Sequence, residues 1–303
     1  MLNRLILNLV AAAGITLAAA APAPAQADCQ GLDAQVKAAI SSGNIGALPA
    51  LADQISRDTS CDSTYVDHAR RAMALSIFSA GQRDDGTAPP EFVNGAAAIA
   101  RPWQVAMALG DLKYDNKDYA GAVEAYEAAI DDIRNVRLVP KAPDPSIEKY
   151  LAQRAYQAKS LAPTYVSSRG FRGEPTGVMV PTFRNFTAVS VPVPIRFETG
   201  QSALTPDGVK AVDDLYNFLK GQKVTAVVLI GHTDERGSTP YNDQLSEARA
   251  EAVAAALHER GLDYAIKTEG HGKREPFEAD DRTKYGDDEL YSFDRRVEFK
   301  LVQ

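Results

Sequence analysis

The chain has 303 residues, with 33 Lys and Arg against 40 Asp and Glu, a formal net charge of −7 and two cysteines. That length suits two domains with separate cores. The acidic balance supplies no basic stripe for phosphate, which argues against nucleic-acid binding. The four histidines are too scattered along the chain for a zinc-type cluster to be expected.

Residues 1–27 read as a secretory signal peptide. Arg4 gives a positive start, 5–20 are apolar, and Ala25, Gln26 and Ala27 form a small-x-small cleavage site before Asp28. An uncleaved anchor is the alternative, weakened by Asn8 and the many alanines. Asp28 also stands where lipid attachment at Cys29 would need a small residue. The mature chain is expected in the periplasm, without a transmembrane span. In that oxidising compartment Cys29 and Cys61 are expected to pair, contributing about 3 kcal/mol through loop entropy.

From 28 to 163 the chain reads as helices, with apolar residues at helical spacing in 32–41, 48–55 and 65–79. Loops are marked by Gly43 and Asn44, by 84–90 and by 140–145. Within this half, Leu109, Gly110, Tyr114, Asp118, Tyr119, Ala122, Tyr126 and Ala129 follow in an order that resembles a tetratricopeptide repeat. The helices would be 104–116 and 119–134, with 146–161 packed behind. Trp103 stands three residues early for that motif, and its closing proline is absent. The pair serves either as a groove for a partner protein or, the reading preferred here, as packing within a helical bundle.

Residues 164–190, with Gly170, Gly173, Pro175 and Pro181, read as a linker carrying short extended pieces at 178–180 and 188–191. The sequon at 185–187 carries no weight. Beyond it, 194–197 reads as a strand and 205–220 as a helix opened by Thr205 and Pro206. The β-branched run 224–230 suggests a strand buried on both faces. A helix over 239–260 stops at Gly261, and strands follow at 264–268 and 296–301. The expected fold class is α + α/β. An all-helical, tetratricopeptide-like domain (28–163) precedes a βαβαββ sandwich of helices on one mixed sheet (191–303).

The most informative stretch is Gly231, His232, Thr233, Asp234 and Gly237, followed by Asn242, Leu245, Ser246, Arg249 and Ala250. It sets a carboxylate just past a strand and a guanidinium two turns into the next helix. An acceptor and a planar fork of donors together suit a small zwitterion. His232 with Asp234 hints at a metal, but lacks a third ligand nearby in sequence, so a structural histidine is expected.

With Phe197, Leu204, Thr205 and Pro206, with Gly270, Gly272 and Pro276, and with Asp294, Arg295, Arg296, Val297 and Glu298, this stretch resembles one family. That family is the peptidoglycan-binding domain of outer-membrane protein A and the peptidoglycan-associated lipoprotein. The resemblance implies a ligand, the free end of diaminopimelate in the peptidoglycan stem peptide. It assigns Asp234 to the ammonium and Arg249 to the carboxylate. Both side chains must then face one pocket open to solvent.

The resemblance adds Thr233, Phe197, Thr199 and Asn242 to the candidate ligand set, Asn242 either bracing the turn or touching the ligand. Arg295 and Arg296, expected to begin a strand, should point to opposite faces, one toward the ligand and one toward solvent. Glu198 stands where an aspartate is common, and Gly200 removes a side chain often present. The acidic segment between Pro276 and Arg295 is longer than usual and reads as a solvated loop rather than a calcium site. No cofactor is expected, and no serine or cysteine nucleophile motif accompanies His232 and Asp234, so an enzyme is not expected. The implied role is a non-covalent link between the wall and the outer membrane or an envelope partner. The alternative is a helical-repeat adaptor for envelope assembly, with the wall domain as tether.

Overall fold

The computed structural model describes residues 28–169, 175–177, 182–183, 186–187 and 190–302. The signal-peptide segment, 178–180, 188–189 and Asn185 of the sequon lie outside them. Among the described residues of the first half, seven α-helices follow in order: α1 (Cys29–Ser41), α2 (Leu48–Arg57), α3 (Ser63–Gly81), α4 (Pro90–Ile99), α5 (Trp103–Asp115), α6 (Tyr119–Arg134) and α7 (Pro145–Leu161). Aspartates mark four of the starts. Asp28, Asp62, Asp118 and Asp144 each accept a hydrogen bond from a backbone N–H of the first turn, satisfying donors that have no partner inside the helix. Helix α4 follows the 84–90 loop directly; its run of small apolar residues carries little helical signature.

Two apolar clusters hold these helices. One joins Leu32, Leu48, Ile55, Met73 and Ile77 of α1–α3 to Val93, Ala96 and Ile99 of α4. Cys29 and Cys61 form a disulfide, Cα to Cα 5.1 Å, tying the start of α1 to the loop before α3. The other cluster sets Ala106 of α5, Ala122, Tyr126, Ala129 and Ile133 of α6 and Leu151 of α7 together. At Gly110 a Cβ would come within 2.5 Å of the Tyr126 ring, so the missing side chain is what lets α5 and α6 close.

The second half alternates strand and helix: β5 (Val191–Val193), α8 (Pro206–Leu219), β6 (Ala226–Gly231), α9 (Thr239–Glu259), β7 (Ala265–Gly270), α10 (Asp287–Asp294) and β8 (Val297–Val302). Sheet order is β5-β8-β6-β7, with β6 and β7 parallel and β8 antiparallel to both β5 and β6. Two short antiparallel strand pairs precede it, β1 (Ser168–Arg169) with β2 (Pro175–Gly177) and β3 (Thr182–Phe183) with β4 (Phe186–Thr187). Ala211, Val212 and Leu215 of α8 and Ala250, Val253 and Leu257 of α9 cover Val227, Leu229, Val297 and Phe299 of the sheet.

Four expectations are corrected here. The first strand occupies 191–193 rather than 194–197, and Phe197 makes only an isolated bridge to Leu204. Proline cannot donate to a ladder, so this strand sits at the sheet edge, where Pro192 is tolerated. Strand β6 is not buried on both faces: Val227 and Leu229 are buried, but Ala226 and Val228 are only half-buried. The acidic segment is not simply a solvated loop. Its residues form α10, which begins with three acids where the helix dipole favours them. Arg295 therefore caps a helix, and the strand begins at Val297.

The same segment joins the two halves. Arg154 of α7, buried, donates to the hydroxyls of Tyr126 (3.1 Å) and Tyr285 (3.0 Å) and lies over the Tyr114 ring. The Tyr156 hydroxyl donates to the Phe293 carbonyl (2.9 Å), and Tyr156 packs with Phe277 and Phe293. Gln157 donates to Asp280 (3.1 Å).

Candidate functional site

The loop 232–238 leaves β6 and enters α9 under several restraints. The backbone N–H groups of His232 and Thr233 donate to the carbonyls of Arg296 and Gly272, both at 2.9 Å. Asn242, buried, donates to the Arg236 carbonyl at 2.9 Å, and Lys273 donates to the carbonyls of Glu235 (3.1 Å) and Gly237 (2.9 Å). Gly237 takes φ +89°, a conformation that favours glycine. Asn242 is thus a brace.

Asp234, 7 % exposed, is held at the centre of the loop. Its Oδ1 accepts from the Arg236 backbone N–H (3.2 Å) and Nε (3.1 Å). Its Oδ2 accepts from Arg236 Nη2 (2.7 Å) and Arg295 Nη1 (2.8 Å). Burial acts to raise the carboxyl's pKa, but the hydrogen bonds from Arg236 and Arg295 outweigh it and hold the group below its ordinary value.

Arg249, 4 % exposed, donates from Nε to the Gln201 carbonyl (3.1 Å), its guanidinium 5.0 Å from the centre of the Phe197 ring. Burial, and then repulsion from Arg295, push it down to about 10; Asp234 works the other way. Among the described residues this side chain makes one hydrogen bond, so its two terminal nitrogens keep their donors. Asp234 and Arg249 share one electrostatic neighbourhood but form no direct ion pair, and both are buried, so the expectation that the two open onto solvent is corrected: Arg236 and the Gln201 carbonyl cover them. One carboxylate faces three guanidinium groups, and the surplus positive charge suits a ligand bearing a carboxylate.

The other candidates separate clearly. Thr233, within the loop, is buried. Phe197 lies beneath Arg249, and Thr199 is exposed in the adjoining turn. That turn is tied to α9 by the Tyr241 hydroxyl, which donates to the Gly200 carbonyl at 3.2 Å. Arg295 reaches Asp234, whereas Arg296 corrects the expectation of a ligand or solvent contact. Arg296 is buried, with Nε on Glu298 (2.7 Å) and Nη2 on the Glu275 carbonyl (3.2 Å). The reason is that Arg295 caps the end of α10 while Arg296 leads directly into β8, an inner strand of the sheet, so the two side chains leave in different directions.

Arg236 is a site residue that the sequence reading missed. Its guanidinium covers the acceptor expected to be open and lies over the Tyr291 ring, 4.6 Å from the ring centre, while the side chain as a whole is 59 % exposed. Its position two residues after an aspartate in a tight loop was the available signal, since Asp side chains bond backbone two residues on. Two of the four histidines converge where scatter was expected: His232 and His271, with Glu275, bring ligand-type atoms within 4.8 Å of one another.

Residues 196–285 match the OmpA family. Among curated proteins, the chain is 34% identical over 127 residues to a protein named probable lipoprotein YiaD of Escherichia coli K12, covering 42% of this chain and 56% of that protein. It is 35% identical over 107 residues to outer membrane protein A of Bordetella avium, covering 35% and 53%. It is 38% identical over 105 residues to the peptidoglycan-associated lipoprotein of Pseudomonas aeruginosa, covering 34% and 59%. The chain spans between half and three-fifths of the length of these three relatives. The matched stretch, whose loop carries Asp234 and whose second helix carries Arg249, is an OmpA-like domain.

Proposed function

We propose that this protein binds peptidoglycan non-covalently through the free end of diaminopimelate in the stem peptide, and so links the wall to the outer membrane or an envelope partner. The observation that carries the reading is the charge arrangement: one carboxylate, Asp234, among Arg236, Arg249 and Arg295, with the terminal donors of Arg249 unspent. The ligand's carboxylate pairs with Arg249, backed by Arg295. Its ammonium takes the acceptor on Asp234 that Arg236 now holds, and Arg236 swings toward solvent along Tyr291. An exchange of one charged donor for another at a mostly exposed side chain costs little. Phe197 forms the floor beneath the fork, and Thr199 and Tyr241 form the rim.

In this reading 28–163 is a helical, tetratricopeptide-like module, 164–190 a connector and 191–303 the wall-binding domain of a periplasmic protein. No helix among the described residues is long and apolar enough to cross a membrane. Many equivalent stem peptides on one polymer would add avidity to a modest single-site affinity. Co-sedimentation of the purified chain with peptidoglycan sacculi tests it. Wild type should pellet with the wall and Asp234→Ala should stay in the supernatant; equal pelleting of both would refute the assignment.

A further inference from the structure

The parallel pairing of β6 with β7 sets Gly231 opposite Gly270. The residues that follow, His232 and His271, therefore emerge side by side from the C-terminal ends of two neighbouring strands, where open α/β sheets place their ligands. A hydrogen bond from the His271 N–H to the Gly231 carbonyl (3.0 Å) keeps them together. Neither glycine has room for a side chain, since a Cβ at 231 would meet the Ser246 carbonyl oxygen at 2.0 Å and one at 270 the Glu247 nitrogen at 2.7 Å. The two imidazole rings stand edge to face with centres 5.5 Å apart. A turn closed by Arg274 N–H on the His271 carbonyl (3.2 Å) brings Glu275 back, its Oε2 3.1 Å from His271 Nδ1.

His232 is 1 % exposed, and among the described residues neither of its ring nitrogens makes a hydrogen bond. The nearest carboxylate oxygen, on Glu298, lies 3.6 Å from Nε2 and already accepts from Arg296. A buried imidazole with both nitrogens unsatisfied has given up its water without a replacement, so this side chain is short of a partner. His271 and Glu275 are partly open to solvent, which leaves an entry path. From these positions we infer that His232, His271 and Glu275 form a binding site for a divalent transition-metal cation of the zinc class.

Two imidazoles and one carboxylate suit such an ion, whereas magnesium and calcium prefer oxygen donors. The ligand atoms need only close from within 4.8 Å to the spacing set by metal–ligand bonds of about 2.0–2.2 Å. Arg296 adds a positive charge nearby, but its ion pair with Glu298 (2.7 Å) offsets it. Solvent would fill the fourth position, and the ion would staple the β6 and β7 loops together beside Asp234. This site stands independently of the wall-binding assignment.

The test is titration of the untagged, metal-stripped mature chain with zinc chloride by calorimetry, with cobalt(II) as an absorbing substitute. One ion should bind per chain, and cobalt should show the intense visible bands of a four-coordinate site. His271→Ala should weaken zinc binding by tenfold or more and Glu275→Gln severalfold. Both side chains are partly exposed, so these variants should keep the far-ultraviolet circular dichroism of wild type. His232→Gln should also abolish the cobalt bands; should that variant not fold, the two exposed variants decide. Absence of saturable zinc binding, or binding unchanged in both exposed variants, would overturn the inference.

Discussion

Arg236 closes on the carboxylate of Asp234 from only two residues away, with Nε at 3.1 Å and Nη2 at 2.7 Å. The contact places a guanidinium where an ammonium ligand would have to sit. In the binding mode proposed above, Arg236 would compete with that ammonium for Asp234. Arg236 itself is largely exposed, so its half of the pair is screened by solvent and contributes about 1 kcal/mol, and Arg295 remains on Oδ2 when Arg236 is gone.

Arg236→Ala is therefore expected to tighten binding of diaminopimelate by severalfold, while thermal stability changes little. Calorimetry on the variant and wild type checks this. A loss of affinity would mean that Arg236 contacts the ligand instead of competing with it.

The junction between the halves yields a second expectation. Arg154 carries hydrogen bonds to Tyr126 and Tyr285 and lies 3.5 Å from Asp111 and 3.7 Å from Asp280. Arg154→Ala removes a buried cation from four polar partners and should destabilise the protein by about 3–5 kcal/mol. The loss should be felt in both halves, because Tyr285 and Asp280 belong to the segment that leads into α10. Denaturant unfolding followed by fluorescence of Trp103, and separately by hydrogen exchange in β6, checks it. An effect confined to the helical half would contradict the coupling.

How much of this was legible in the sequence depends on whether a signal was local. Helix α6 runs Tyr119–Arg134 as expected, because Asp118 caps it and Ala122, Tyr126 and Ala129 repeat at helical spacing. Strands β6, β7 and β8 lie within two residues of their expected starts, and the second long helix ends before Gly261, which takes φ +87°. Apart from the displaced first strand and the missed Arg236, the failures are long-range. Helix α10 was hidden by its acids, which look solvated until Tyr156 is seen to pack on Phe293. Arg295 and Arg296 are adjacent in sequence, yet a helix end and a strand start send them to Asp234 and Glu298. His232 and His271 are 39 positions apart and meet only because two parallel strands end in register.

A pH dependence follows from Asp131 in α6. Burial raises its carboxyl to about 6, with Glu127 adding to the rise and Arg134 opposing it. A group with a raised folded-state value binds its proton more tightly in the folded than in the unfolded protein. Its penalty is absent below about 4, grows as pH rises through 4 to 6 and is constant above. Asp131→Asn should stabilise the protein by about 1 kcal/mol at pH 7, after allowance for solvent screening, and by nothing at pH 3.5. Melting temperatures at the two pH values check this; an equal shift at both would contradict it.

The pairing of Asp234 with Arg249 around a zwitterion is tested most directly by isothermal titration of the mature chain with meso-diaminopimelate. Wild type should bind, and Asp234→Ala and Arg249→Ala should each lose about 2 kcal/mol or more, roughly a 30-fold fall in affinity. Affinity undiminished in both variants would contradict the site.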